Sequence, residues 1–308
     1  MNLMKNISVI IPFLNEEGNI VSLIHRLDHF FSESGFLNCE VIFVDDGSTD
    51  SSVNLLVENS KSKSFKVKVV KLSKNQGSHA AVRAGLINSE GDFAVFLPAD
   101  LQDPPELIVE LVNKIDEGYD IVFASRKNTA TNIFESLFTK LYAILMQKYV
   151  SADFPKNGFD VVLFNRKIIN KLNENIESNS SILLQILNLG FKQSFISYDK
   201  QVRKVGKSKW TLSKKIKLFI DSFIAFSYAP IRFVTIVGIT LFILGIAFSL
   251  YLFTRKLLYN DLVSGWTMLI SMLTIGFGIT NISLGIIAEY LWRTFDASRK
   301  RPVFIIDV

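Results

Sequence analysis

In the first half of the chain the apolar positions alternate between two patterns. Ile7 to Ile11 is a short β-branched run, and Glu17 to Phe31 carries Ile20, Leu23, Ile24, Leu27, Phe30 and Phe31 at helical spacing. The same pairing recurs. Glu40 to Val44 reads as a strand, and Asp50 to Ser60 as a helix capped by Thr49 or Asp50. Phe65 to Leu72 alternates as a strand before a helical stretch from Gln76 to Asn88. Asp92 to Leu97 is a buried strand, Pro104-Pro105 opens a helix through Ile115, and Asp120 to Ala124 is a fifth strand. Strands separated by helices predict an α/β fold built on a parallel sheet with right-handed crossovers.

The pattern changes near the C-terminal end. Phe233 to Thr254 and Leu262 to Ala288 contain no charged residue. A bilayer core about 30 Å thick needs roughly 20 apolar residues at helical rise, and both runs reach that length. They predict a two-helix transmembrane hairpin over 230–290, with spans at about 231–254 and 264–288. Just before it, Leu212, Ile216, Phe219, Phe223 and Phe226 repeat at four-three spacing while Lys214, Lys215, Lys217 and Asp221 fall elsewhere. Residues 211–229 therefore read as an amphipathic helix. It reads as interfacial, lying in the headgroup plane, with a packed joint between domain and hairpin as the alternative.

Composition supports this division. The chain has 308 residues, 49% of them hydrophobic and 20% charged, which excludes a disordered or collagen-like chain. Its mean hydropathy of +0.29 is too high for an ordinary soluble enzyme. One cysteine, Cys39, excludes an internal disulfide and a cysteine-based zinc site. Arg203, Lys204, Lys207, Lys209, Lys214, Lys215 and Lys217 precede the first span, and Arg293, Arg299, Lys300 and Arg301 follow the second. The connector from Arg255 to Asp261 is nearly balanced. That bias places both termini in the cytoplasm and the connector outside. Residues 1–210 then form a cytosolic domain and 291–308 a cytosolic tail. The basic run abuts a membrane span and lacks a nucleic-acid module, which argues against nucleic acid as a partner.

Ligands of parallel sheets bind at the carboxyl ends of strands. Those ends carry Pro12, Asn15, Glu16 and Glu17, then Asp45 to Asp50, then Pro98 to Asp103, then Ser125-Arg126. There is no Gly-x-Gly-x-x-Gly after a strand and no P-loop, which argues against dinucleotide and simple ATPase folds. The Asp45 cluster fails the EF-hand spacing. Asp50 reads as a turn former or cap. Asp45 and Asp46 read as functional, because adjacent carboxylates repel and a bound nucleoside or cation gives them reason to coexist. His25 and His29 sit four apart, but no third ligand accompanies them, so a solvated helix face is expected.

The strings VIIPFLNEE, VDDGSTD, NQGSHAAVRAGL and ADLQDPPE, in this order, resemble the signature series of family 2 glycosyltransferases with the GT-A fold. More narrowly, VGKSKWTLSKKIKLFIDSFIAFSYAPIR, the hairpin and AEYLWRTFDASRKRP resemble the bacterial polyprenyl-phosphate glycosyltransferases. The resemblance implies a Rossmann-like, mostly parallel GT-A domain. It implies that Pro12, Asn15, Glu17 and Asp45 line a nucleoside pocket, with Asp46 near the ribose or diphosphate. Asp100 and Gln102 correspond to the metal-binding part of the Asp-x-Asp segment, implying Mg2+ or Mn2+. The first acid of that segment is here Pro98, so weakened metal dependence is expected, with Asp100 and a diphosphate sufficing. Arg126, Arg203, Lys207 and Lys209 are expected at phosphates. Asp160, in KNGFDV, either orients the acceptor or acts as base, or is a strand-edge or capping carboxylate; the sequence weighs these equally.

The implied reaction moves a sugar from a nucleotide-diphosphate sugar, a UDP-hexose in first place, to a polyprenyl phosphate with inversion. Asp100, Arg126 and Asp160 are its candidate catalytic residues. Two alternatives remain at this point: a family 2 transferase acting on a hydroxyl acceptor, and a catalytically silent membrane-bound nucleotide-sugar binder. The expected setting is the bacterial inner membrane, with homo-oligomerisation left open.

Overall fold

The computed structural model describes residues 5–36, 38–127, 133–177, 180–201, 212–259, 265–299 and 301–307. The chain divides into two compact units, Met1–Ser222 with Pro302–Val308, and Phe223–Arg301.

The first unit is built on one sheet. Its strands are β1 (Ile7–Phe13), β2 (Cys39–Asp45), β3 (Lys66–Leu72), β4 (Phe93–Phe96), β5 (Ile121–Arg126), β6 (Phe159–Asn165), β7 (Gln193–Tyr198) and β8 (Ile306–Asp307), in spatial order β7-β5-β6-β4-β1-β2-β3-β8. The mostly apolar runs become the central strands: every residue of β2 is buried, Glu40 and Asp45 included, and so are Ile7, Val9, Ile10 and Ile11 of β1. Strands covered on both faces read as continuous apolar runs. The helices α1 (Glu17–Ser34), α2 (Ser52–Asn59), α3 (Ser78–Ile87) and α4 (Leu107–Asp116) fill the predicted crossovers. α1 buries Ile20, Leu23, Ile24, Leu27, Phe30 and Phe31, the positions its spacing singles out.

Local starts differ slightly from the sequence reading. α2 begins at Ser52, whose N–H donates to Asp50 Oδ1 at 3.0 Å, so the Asp50 carboxylate does the capping from one residue further back. Pro104 and Pro105 form the turn before α4, their carbonyls accepting from the Leu107 and Ile108 N–H groups. The sheet is mostly parallel, but β6 is antiparallel to β4 and β5, and β8 is antiparallel to β3. The rest of this unit comprises α5 (Ile133–Tyr149), α6 (Arg166–Glu174) and α7 (Ile182–Leu187). α8 (Leu212–Phe226) runs across the boundary between the two units.

The topology fixes where ligands bind. β1, β2 and β3 are laid down in one direction, and β4 then lies on the other side of β1. The sheet thus has its switch point between β1 and β4, the place where open α/β sheets bind ligands at the carboxyl edge. Because β6 runs backwards, its first residues reach that same edge.

The second unit contains α9 (Ala229–Tyr259) and α10 (Trp266–Ser298). Within them Ala229–Arg255 has a mean hydropathy of 2.5 and Ile275–Ser298 one of 1.3, with none of either window buried. Both helices are long and apolar enough to cross a membrane. Tyr290 donates to the Ser227 carbonyl at 2.9 Å, tying α10 to the start of this unit.

Candidate active site

Among the described residues, the segments at the carboxyl edge sort into two groups by their hydrogen bonds. The first joins the ends of β1 and β2. Asn15 adopts a left-handed backbone, φ 49°, which lets its N–H donate to Ser48 Oγ at 2.8 Å while its side-chain Oδ1 accepts the Thr49 N–H at 2.8 Å. Asparagine tolerates this conformation better than most residues. Glu17 Oε2 accepts from the Ser51 N–H, and Asp50 Oδ2 accepts from the Glu17 N–H. The two loops are thus laced reciprocally, each carboxylate at the start of the other segment's helix, where negative charge is favoured. Pro12 is half-buried at the end of β1.

Asp45 and Asp46 are both buried, and each has its own donors. Asp45 Oδ1 accepts the Ser48 N–H at 2.8 Å, and its other oxygen is buried with no hydrogen-bond partner. Asp46 takes the Gln76 N–H at 2.7 Å and the Gly77 N–H at 3.1 and 3.0 Å, docking the start of α3. The adjacent carboxylates therefore coexist by turning to different backbone donors, without needing a ligand to reconcile them. Gly47 sits between these two arrangements at φ +77°.

The second group lies across β4, β6, β5 and β7. Asp100 Oδ1 accepts the Gln102 N–H at 3.2 Å, and Leu101 between them has φ 59°. Gln102 Nε2 donates to the Gln201 carbonyl at 3.1 Å, and the Gln102 carbonyl accepts the Gln201 N–H. The Gln102 amide nitrogen is thus engaged in holding the segment after β7. Arg126 ends β5, Asp160 is the second residue of β6, and Tyr198 ends β7 opposite Arg126. Asp160 Oδ2 accepts from Arg126 Nη2 and from Lys200 Nζ at 2.7 Å. Lys200 Nζ also lies 3.3 Å from Asp103 Oδ2, and Asp103 Oδ1 accepts the Tyr198 hydroxyl.

Electrostatics follow from these contacts. Burial alone would raise the Asp160 carboxyl, but Arg126 and Lys200 overrule it and hold Asp160 below the usual carboxylate range. For Asp103 burial wins: its carboxyl is raised, with Asp160 and Asp100 adding to the rise and Lys200 only partly offsetting it. Burial opposes the charge on Lys200 and Arg126, yet their carboxylate partners push both upward.

Of the residues singled out in the sequence, the structure thus joins Asn15 and Glu17 to the Asp45–Asp50 loop, and Arg126 to Asp160. Arg203, Lys207 and Lys209 lie outside the described residues. His25 and His29 are exposed on α1, where His29 pairs with Glu33 at 3.3 Å. His79, uninterpretable from sequence, is pushed down to about 4 by burial and by Arg83. Tyr198 and Lys200 are missing from the sequence reading, and Asp103 enters it only as the last residue of the Pro98–Asp103 cluster, with no role of its own. The alternation of QSFISY before Asp199-Lys200 was the available signal for β7. Among the described residues no three His, Cys, Asp or Glu side chains come together as a metal cage.

Comparison with known proteins gives three findings. Residues 8–172 match the family model for glycosyl transferase family 2. The chain is 32% identical over 300 residues to the uncharacterized glycosyltransferase YkcC of Bacillus subtilis (strain 168), covering 97% of this chain and 92% of that one. It is 31% identical over 304 residues to the undecaprenyl-phosphate 4-deoxy-4-formamido-L-arabinose transferase of Klebsiella pneumoniae (strain 342), covering 98% and 93%. Among solved structures, glucosyl-3-phosphoglycerate synthase from Mycobacterium tuberculosis, in complex with Mn2+, UDP and phosphoglyceric acid, shares the fold. Its TM-score is 0.50 at 18% identity, covering 71% of this chain and 76% of that one.

Proposed function

This chain belongs to glycosyl transferase family 2, and on that premise we propose that it transfers a sugar from a nucleoside-diphosphate sugar to a polyprenyl phosphate. The Klebsiella relative is named for an undecaprenyl-phosphate acceptor, which supports the lipid. The fold neighbour's complex with UDP makes a UDP-sugar the first donor to test.

The observation that carries the acceptor class is the state of Asp160. A hydroxyl acceptor must lose a proton to a base, and a base needs an affinity for that proton. Asp160 Oδ2 is held by two cations, and its carboxyl is pulled below the ordinary range. A phosphate monoester has its second pKa at about 6 and is largely dianionic at neutral pH. One of its oxygens bonds to the anomeric carbon as the C1–O bond to the diphosphate breaks. The nucleoside diphosphate leaves with the electron pair, and no proton is taken from the acceptor. Attack opposite the leaving group inverts the anomeric centre.

On this reading Pro12, Asn15, Glu17, Asp45 and Asp46 form the nucleoside end of the cleft, and a donor N–H or O–H partners the second Asp45 oxygen. Asp100, with the Gln102 side-chain Oε1, would hold Mg2+ or Mn2+ together with the donor diphosphate. One carboxylate completed by substrate oxygens and water is an ordinary magnesium arrangement, so the residues present fit it. When bound, such an ion offsets the charge that develops on the departing diphosphate. Arg126 faces the same task, and Arg203, Lys207 and Lys209 are assigned to the phosphates from sequence.

α9 and α10 are read as a membrane hairpin with both ends cytoplasmic. The basic flanks support this, as does the return of the tail to β3 in the catalytic unit. The test is incubation of membranes containing the protein with labelled nucleotide sugars and undecaprenyl phosphate, followed by lipid extraction and mass analysis. A sugar-phosphate lipid is expected. Transfer to diacylglycerol or a glycan with none to the lipid phosphate would move the protein to the hydroxyl-acceptor class, and no turnover with any donor would leave a silent binder.

A further inference from the structure

Lys200 is the one cation of the edge cluster that sequence comparison with a motif did not bring forward. It stands two residues past β7, on a flexible four-carbon stem, yet its side chain is only 19% exposed. Two carboxylates from different parts of the sheet fix it: Asp160 at the start of β6 and Asp103 in the loop after β4. An ammonium has three N–H donors, and among the described residues a hydrogen bond to Asp160 is the one it makes. Arg126 is in a similar position. Its Nη2 serves Asp160, while its Nε is buried with no hydrogen-bond partner. Two cations sharing one carboxylate oxygen, each with donors unspent, make a site for an anion with several oxygens. The two carboxylates balance the two cations, so the pair is tolerable before any anion arrives.

Asp103 is the less obvious member. Its side chain is fully buried, and it makes no contact that would serve a substrate. It receives the Tyr198 hydroxyl on one oxygen and faces Lys200 with the other. Tyr198 is itself paired in register with Arg126. One short chain of contacts therefore sets the spacing of both cations.

We propose that Lys200 and Arg126 form a preset receptor for phosphate oxygens in the transfer reaction, and that Asp103, backed by Tyr198, is the positioning residue that aims Lys200 into it. This rests on the functional reading above. The oxygens belong either to the donor diphosphate or to the acceptor lipid phosphate, which share the chemistry that the pair recognises.

The test uses the full chain in lipid–detergent micelles, with whichever nucleotide sugar supports turnover and undecaprenyl phosphate as acceptor. Lys200→Met is expected to lower kcat/KM by about 100-fold, and Lys200→Arg to recover at least roughly tenfold of that loss. A raised KM for the lipid phosphate with unchanged inhibition by UDP assigns the pair to the acceptor, and weakened UDP inhibition assigns it to the donor. Activity of Lys200→Met within about threefold of the parent overturns the proposal. Asp103→Asn is expected to cost about tenfold alone and almost nothing further in the Lys200→Met background. An equal loss in both backgrounds would make Asp103 merely structural and overturn its positioning role. Protection of Cys39 from a thiol reagent checks that each variant is folded. Should Lys200→Met expose Cys39, Lys200→Arg decides: a shift of about fivefold in the lipid KM or in UDP inhibition supports the receptor, and no shift in either overturns it. If the parent transfers nothing to undecaprenyl phosphate, the functional reading is what fails. Calorimetric titration of UDP and of pyrophosphate into parent and Lys200→Met then tests the pair by itself, with about tenfold weaker binding expected and equal binding overturning it.

Discussion

Replacing Gly47 by alanine tests how the Asp45-Asp46 loop is packed. The residue has φ +77°, and a Cβ there would lie 2.7 Å from the Asn75 nitrogen and 2.8 Å from the Lys74 carbonyl carbon. Both are backbone atoms, so the clash is not relieved by a side chain swinging away. Gly190 provides a matched control, with φ +74° and nothing within 4 Å of the added methyl. Each substitution pays about 1–2 kcal/mol for a left-handed alanine. Gly47→Ala alone adds an overpacking cost of about 1–3 kcal/mol. Taking roughly 1.5 and 3 kcal/mol, and 2–4 °C per kcal/mol for a unit of this size, Tm falls by about 3–6 °C for Gly190→Ala and about 6–12 °C for Gly47→Ala. Cys39 supplies the assay. It is the sole cysteine, is 7% exposed at the start of β2, and burial pushes its thiol up to about 12. A fluorogenic maleimide in a thermal ramp therefore reports opening of the sheet. Since Asp46 holds the backbone at Gln76 and Gly77, the Gly47 variant should also lose UDP affinity while the Gly190 variant keeps it. Equal Tm losses in the two variants would refute the steric argument.

Three further outcomes are expected. With Asp160 committed to Arg126 and Lys200, turnover on lipid phosphate should show a solvent deuterium isotope effect near unity, and a clear normal effect would restore a general base. Manganese binding followed by electron paramagnetic resonance should be weak in the protein alone and strengthen when UDP is added; tight binding without nucleotide would contradict a substrate-completed site. Glu40 is buried at the opposite edge, where burial would raise its carboxyl but Lys68, Ser8 and the Glu90 N–H hold it below its ordinary 4.5. Its stabilisation is thus complete above that value and lost as pH falls through the lower folded one. Glu40→Gln should cost about 3 kcal/mol at pH 7, and its gap from the parent should close below about pH 4.5; a gap that widens in acid would refute the assignment.

The sequence exposes most clearly what is local. β1, β2 and β4 are mostly apolar, and their carboxyl ends point to Asn15, Asp45 and Asp100 without any knowledge of pairing. What it hides depends on distant partners. Nothing in FDVVLFN says that β6 runs backwards between β4 and β5, and only that reversal brings Asp160 against Arg126. Lys200 looks like another member of a basic run until β7 is placed beside β5. Asp103 sits within ADLQDPPE, yet its burial beneath Tyr198 is a tertiary fact. The repulsion argument for Asp45 and Asp46 misses how the two are kept apart, because the backbone N–H groups that separate them come from residues up to 31 positions away.

β8 makes the catalytic half wait for its own anchor. Its two residues pair with Lys71 and Leu72 at the end of β3, yet the ribosome produces them only after the roughly 80 residues of the apolar unit. At about 5–20 residues per second that interval lasts roughly 4–16 s. Throughout it β3 offers unmatched amide and carbonyl groups to any neighbouring chain, the usual hazard of a bare sheet margin. On the proposed membrane reading, the hairpin is therefore made before Lys71 and Leu72 gain their partners at that margin.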